Sequence, residues 1–176
     1  MTKFGEWQIL ENGTRVPAKG EENFPAVLIS YFDCRTFTEW AGYRIPTESE
    51  WEWAARGPNG YKYPWGNEWI DGAANLDSED GLNRPEPVGS RPLDVSPFGV
   101  HDLAGNVMEF VEATYESYPG STSQFRDERY YIVRGGSWGY PGKDQYNYTR
   151  YPFYKSYNGI WSTAHDGSCV RLARDI

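Results

Sequence analysis

The chain has 176 residues, a formal net charge of −8, 39% hydrophobic and 24% charged residues. These values describe a folded domain rather than a disordered chain. The acidic balance disfavours nucleic acid and anionic lipid as non-specific partners. No apolar run reaches the length of about 18 residues that a membrane-inserted helix needs. Aromatic residues make up 17%, with 14 Tyr, 8 Trp and 8 Phe, beside 19 Gly and 12 Pro. That mixture predicts a loop-rich fold in which aromatic anchors take the place of long regular elements.

In chain order, Met1–Trp7 contains no apolar leader, so export through a signal peptide is not expected. Trp7–Leu10 predicts a short strand and Asn12-Gly13 a turn. Ala26–Ser30 reads as a buried strand. Ser30 and Asp33 form a capping-box pair that starts a helix over 31–41, with Phe37, Trp40 and Ala41 on one face and Gly42 as the stop. Thr47 and Glu50 form a second pair, opening a helix that ends at Gly57 and carries Trp51, Ala54 and Ala55 as its apolar stripe. Glu48, Glu50 and Glu52 read as cap and solvated-face residues rather than as the acid and base of a glycosidase. Residues 57–106 show almost no periodicity, and so long an irregular segment needs an organising force such as metal or buried aromatics. Val107–Val111 and Tyr130–Arg134 predict strands, 135–168 reads as loop, and Val170–Ala173 predicts a last strand. Cys34 and Cys169 match no metal spacing and read as buried thiols. A bridge between them is the alternative, which the missing leader disfavours.

Several of these segments, in this order, resemble the formylglycine-generating enzyme family, also called the sulfatase-modifying-factor domain. They are Arg44–Gly57, Tyr63–Asn67, Ala74–Leu76, Pro87–Ser90, Phe98–Phe110, the Arg-Gly-Gly-Ser-Trp run at 134–138, and Val170–Arg174. The resemblance implies an α+β, C-type-lectin-like fold over 25–176, preceded by a short segment, 1–24. It implies two helices, small twisted antiparallel sheets and much irregular loop. Members usually carry a longer β-rich beginning, so this chain reads as a minimal version. Two structural calcium sites are also implied. One would use Asn75, the Leu76 carbonyl, Asp80 and the Leu82 carbonyl; the other Asp102, the Gly105 and Val107 carbonyls and Glu109. A hard cation suits such oxygen sets, and turn chemistry alone is the alternative account of them.

Catalytic members of the family oxidise a substrate cysteine with molecular oxygen, using copper(I) held by two thiolates. Those cysteines stand two and seven residues after the aromatic of the Arg-Gly-Gly-Ser-aromatic motif. Here the corresponding positions are Tyr140 and Gln145, which offer no soft sulfur, so copper is not expected. Of the two histidines, His101 is expected to pack within its loop motif and His165 to lie at the surface. Ser137 has no assignable His and Asp partners.

The stretch 139–168 instead holds six Tyr, with Trp161, Asn and Ser among them, the composition of a binding loop. It is similar to the variable region of lectin-fold proteins diversified by retroelements. The sequence therefore predicts a non-catalytic binding module whose contacts are Tyr140, Asp144, Tyr146, Asn147, Tyr148, Tyr154, Tyr157 and Trp161. Its partner would be a protein or glycan receptor, and its location a virion surface or the cytoplasm. Two other readings remain: a copper-dependent oxidase with an altered metal site, and a structural protein packed against a homo-oligomer or particle neighbour.

Overall fold

A computed structural model describes residues 8–76, 84–139, 146–154 and 168–175. Strands β1 (Gln8–Ile9) and β2 (Arg15–Val16) form a small hairpin closed through the Asn12-Gly13 turn. The predicted strand at 26–30 does not form. Leu28 takes a left-handed φ of 59° and faces solvent, while Val27 is buried and Ile29 packs half-buried against the α1 core. A single αL residue of this kind breaks the pleat on which strand pairing depends.

Both predicted helices form where their caps place them. Helix α1 (Tyr31–Trp40) begins at a reciprocal Ser30–Asp33 capping box, and α2 (Glu48–Arg56) at the equivalent Thr47–Glu50 box. The expected face of α1 is not the buried one, however. Tyr31, Cys34 and Thr38 point inward, while Phe37 and Trp40 lie exposed with their rings 5.9 Å apart. In α2, Trp51 and Ala55 are buried as expected.

Between the helices runs a four-stranded sheet in the order β7 (Tyr151–Tyr154), β6 (Tyr130–Arg134), β3 (Met108–Val111), β8 (Ser168–Val170). Alternation divides it between the two helices. Met108, Phe110 and Val133 pack with Tyr31 and Cys34 of α1, where the Tyr31 ring stacks on Tyr131 at 3.8 Å. Val111 and Ile132 pack with Trp51 and Ala55 of α2. Hence β3 is buried at every position. The sheet is mixed rather than wholly antiparallel, because β8 runs parallel to β3 with Glu109 opposite Cys169. The last strand starts two residues earlier and ends three earlier than expected, and Ala173 forms a bridge with Arg44 instead. Strands β4 (Tyr115–Glu116) and β5 (Arg126–Asp127) make a second small hairpin.

No helix or strand occurs among the described residues of 57–106, as the lack of periodicity predicts. Its order comes from side chains that imitate secondary structure. The buried Asp94 carboxylate accepts the backbone N–H groups of Leu103, Ala104 and Gly105 at 3.0–3.2 Å, a nest closed on an internal anion. Asn75 and Asn106 knit the neighbouring turns. Asn106 N donates to the Asn75 carbonyl at 2.7 Å, Asn75 Nδ2 donates to Asn106 Oδ1, and Asn106 Nδ2 donates to the Glu86 carbonyl. Each bond satisfies a backbone group that no ladder supplies.

Candidate functional site

The Arg-Gly-Gly-Ser-Trp run leaves the end of β6 and sets the geometry beyond it. Arg134 has no exposed side-chain surface. Its guanidinium donates to Glu48 Oε1 at 2.5 Å, to Glu52 Oε2 at 2.7 Å and to the Asn147 carbonyl at 2.6 Å, and lies 5.2 Å from the Trp51 ring. Arg150 reaches the same carboxylate, with Nε and Nη2 at 2.6 and 2.9 Å from Glu48, and its guanidinium covers the Tyr118 ring at 4.4 Å. Glu48 and Glu52 are thus not solvated-face residues. They are the α2 side of an ion network that fixes the chain on either side of Tyr148. The Arg134 partner lies 86 residues from Glu48 in sequence, a distance at which no local pattern reveals it.

Asn147 completes the attachment. It is buried, its N–H donates to the Lys62 carbonyl at 2.8 Å and its Nδ2 to the Ala55 carbonyl at 3.2 Å. The sequence places it among the ligand contacts, but it is buried in the fold and serves as a staple, with Nδ2 on the Ala55 carbonyl and Oδ1 buried without a partner among the described residues. Tyr146 and Tyr148 flank it on a turn closed by Thr149 N to the Tyr146 carbonyl. Their rings stack 5.0 Å apart on this turned backbone. The stack continues inward through Tyr63, with Trp65 and Trp69 beyond it. Tyr148 is 42% exposed, and Tyr154, on the edge strand β7, is 52% exposed. Tyr140, Asp144, Tyr157 and Trp161 lie outside the described residues, as do Gln145 and His165.

The remaining candidates are placed as follows. Cys34 and Cys169 are free thiols, which burial pushes up to about 12 and about 11 respectively. A protonated thiol is neither a nucleophile nor a copper ligand. Iodoacetamide at pH 8 should therefore leave the native chain unlabelled, and two labels per chain should appear only in denaturant; mass spectrometry reads the count. His101 is exposed rather than packed, with its carbonyl accepting from Arg171. Among the described residues no group of three or more His, Cys, Asp or Glu is placed to hold a metal.

Of the first implied calcium set, Asn75 and Leu76 are buried, and Asp80 and Leu82 lie outside the described residues. The second set does not fit the ion. Both Glu109 oxygens are taken by Arg171, at 2.6 and 2.9 Å, and Trp51 Nε1 donates to one of them at 2.6 Å. The Gly105 carbonyl accepts Val107 N–H, and Asp102 Oδ2 accepts Gly89 N–H at 2.7 Å. Too few free oxygens remain for the six to eight that calcium takes.

A model of the sulfatase-modifying factor enzyme 1-like domain matches residues 5–176. The chain belongs to that family. Among its curated relatives in the sulfatase-modifying-factor family is a bovine protein named inactive C-alpha-formylglycine-generating enzyme 2. It is 37% identical over 125 residues, 65% of this chain and 38% of that protein. Another is the hercynine oxygenase of Mycobacterium tuberculosis, 35% identical over 127 residues, 65% of this chain and 29% of that enzyme. The chain thus spans between a quarter and two fifths of the length of these relatives. Among solved structures, PvdO from Pseudomonas aeruginosa aligns with a TM-score of 0.64 and 29% identity over 81% of this chain and 59% of that one. Treponema denticola variable protein 1 aligns at 0.55 and 23% identity over 94% of this chain and 60% of that one, a likeness of fold.

Proposed function

We propose that this sulfatase-modifying-factor domain is a non-catalytic binding module, and that its contact surface is built around Tyr148 and Tyr154. The observation that carries the reading is the anchoring of the tyrosine-rich segment. Arg134, Asn147 and Arg150 hold its backbone, so the exposed rings meet a partner already positioned. Rigid aromatic surface bound at little conformational cost is what recognition rewards. The absence of cysteine at 140 and 145 supports the same reading, as does kinship with a protein named inactive. Tyr140, Asp144, Tyr157 and Trp161, outside the described residues, are the further contacts in this reading, and the partner is a protein or glycan receptor met by a chain displayed on a particle.

A glycan array probed with the labelled chain tests this. Tyr148→Ala combined with Tyr154→Ala should weaken the retained signals about tenfold or more while leaving the melting temperature within about 2 °C, since both rings are exposed. Undiminished signals would remove the site assignment. One copper(I) per chain together with oxygen uptake on a cysteine peptide would replace the whole reading with the oxidase one, which the kinship with hercynine oxygenase keeps in view.

A further inference from the structure

A groove of about 570 Å³ runs along one face of α2, lined by Glu48, Glu52, Trp53, Arg56, Gly60 and Tyr118. Its two aromatic walls are open to solvent, Trp53 being 58% and Tyr118 50% exposed. Both rings are held in place. Phe98 braces Trp53, with ring centroids 5.8 Å apart. The Tyr118 hydroxyl donates to Glu48 Oε1 at 3.0 Å, and the Arg150 guanidinium covers the ring.

The polar part of the lining is balanced in charge. Arg56 Nη1 donates to Glu52 Oε1 at 2.7 Å and Nη2 to the Gly60 carbonyl at 3.0 Å, which uses two of the five N–H bonds of the guanidinium. The other Glu52 oxygen accepts from Arg134, so among the described residues each oxygen of this carboxylate keeps a lone pair. Both side chains stay partly exposed. The groove therefore offers spare donors and spare acceptors side by side. An anionic ligand would be set against Glu52, and a cationic one against Arg56. A neutral hydroxyl, which both donates and accepts, suits the two together.

We infer that this groove holds a neutral sugar ring, with its hydroxyls on Arg56 and Glu52 and its C–H face against Trp53. The negative face of an aromatic ring attracts the polarised C–H groups of a sugar. The volume lies within the range of pockets that enclose a small ligand, and aromatic walls with a few placed polar groups are the usual construction of such sites. Walls already fixed by Phe98, Glu48 and Arg150 lose little freedom on binding. Arg56 also lies 5.6 Å from the Tyr148 ring, so the groove adjoins the tyrosine surface. The inference thus rests on the binding-module reading, names its partner as a glycan, and needs no metal.

Ligand-observed NMR titration of the full chain, in chelator, is the test, with the methyl hexopyranosides of gluco, galacto and manno configuration as probes. At least one should bind saturably with a Kd of about 10 mM or tighter. Sorbitol, which carries hydroxyls without the ring, should bind at least about tenfold more weakly. Trp53→Ala should weaken the sugar about tenfold or more, with a melting curve to show that the chain is folded. Ser49→Trp, at an exposed helix position lining the groove, is a second variant that should block it. The inference is overturned by no binding of any probe up to about 100 mM, by equal binding of sorbitol, or by unchanged affinity in a folded Trp53→Ala or Ser49→Trp chain. Binding that appears only when calcium is restored would overturn it as well. The glycan array separates this inference from the reading beneath it. Signals lost in the Tyr148→Ala, Tyr154→Ala chain but kept in Trp53→Ala remove the groove and leave the tyrosine surface. Signals lost in Trp53→Ala but kept in the tyrosine pair do the reverse.

Discussion

Replacing Arg134 with alanine should destabilise the chain by about 3–5 kcal/mol, the cost of removing the fully buried member of an ion network together with its packing on Trp51. Glu48 and Glu52 would keep Arg150 and Arg56 respectively, but the contact under β6 and the bond to the Asn147 carbonyl would be lost together. Arg134→Lys separates charge from shape. An ammonium keeps the sign, yet one point charge cannot reach Glu48, Glu52 and the Asn147 carbonyl at once while lying against Trp51, so an intermediate loss is expected. Urea unfolding gives the values. An Arg134→Ala midpoint equal to that of the parent would show that the network adds little, and that the binding segment is anchored by packing alone.

Gly105→Ala is expected to cost about 3 kcal/mol or more, because the obstruction is main chain and cannot swing aside. A methyl at that position would stand 2.6 Å from the Asn75 carbonyl oxygen and 2.9 Å from its nitrogen. It would also push apart the Asn75–Asn106 contact, made by the next residue, and the nest around Asp94, which ends at the Gly105 N–H. Gly99→Ala is the control. There φ is +78° but no atom lies within 4 Å, so only the left-handed backbone resists, at about 1–2 kcal/mol. Equal effects from the two substitutions would mean that the 102–107 loop shifts to admit the methyl.

The two capping boxes and the Tyr130–Arg134 strand were readable from the chain because their signals are local. A cap needs its partner three residues on, and a short run of aromatic and β-branched residues needs only itself. The elements that escaped depend on distant partners. Strand β7 contains Pro152, which argues against a central strand, and it is tolerated because β7 is the sheet edge. The buried face of α1 holds Tyr31, Cys34 and Thr38, a weaker apolar stripe than the exposed Phe37 and Trp40, so ranking by hydrophobicity selects the wrong side. At the candidate site, composition identified the tyrosine-rich segment. It could not tell Asn147, consumed inside the fold, from its exposed neighbour Tyr148, since that distinction rests on carbonyls contributed by residues 55 and 62.

The attachment points have one more result. Buried Trp138 and Asn147 stand at either end of 140–145, and strands β7 and β8 stand at either end of 155–167. Exchange of the exposed Tyr148 ring should therefore leave the attachment intact, because Arg134 holds the main-chain carbonyl of the residue before it and no part of the ring.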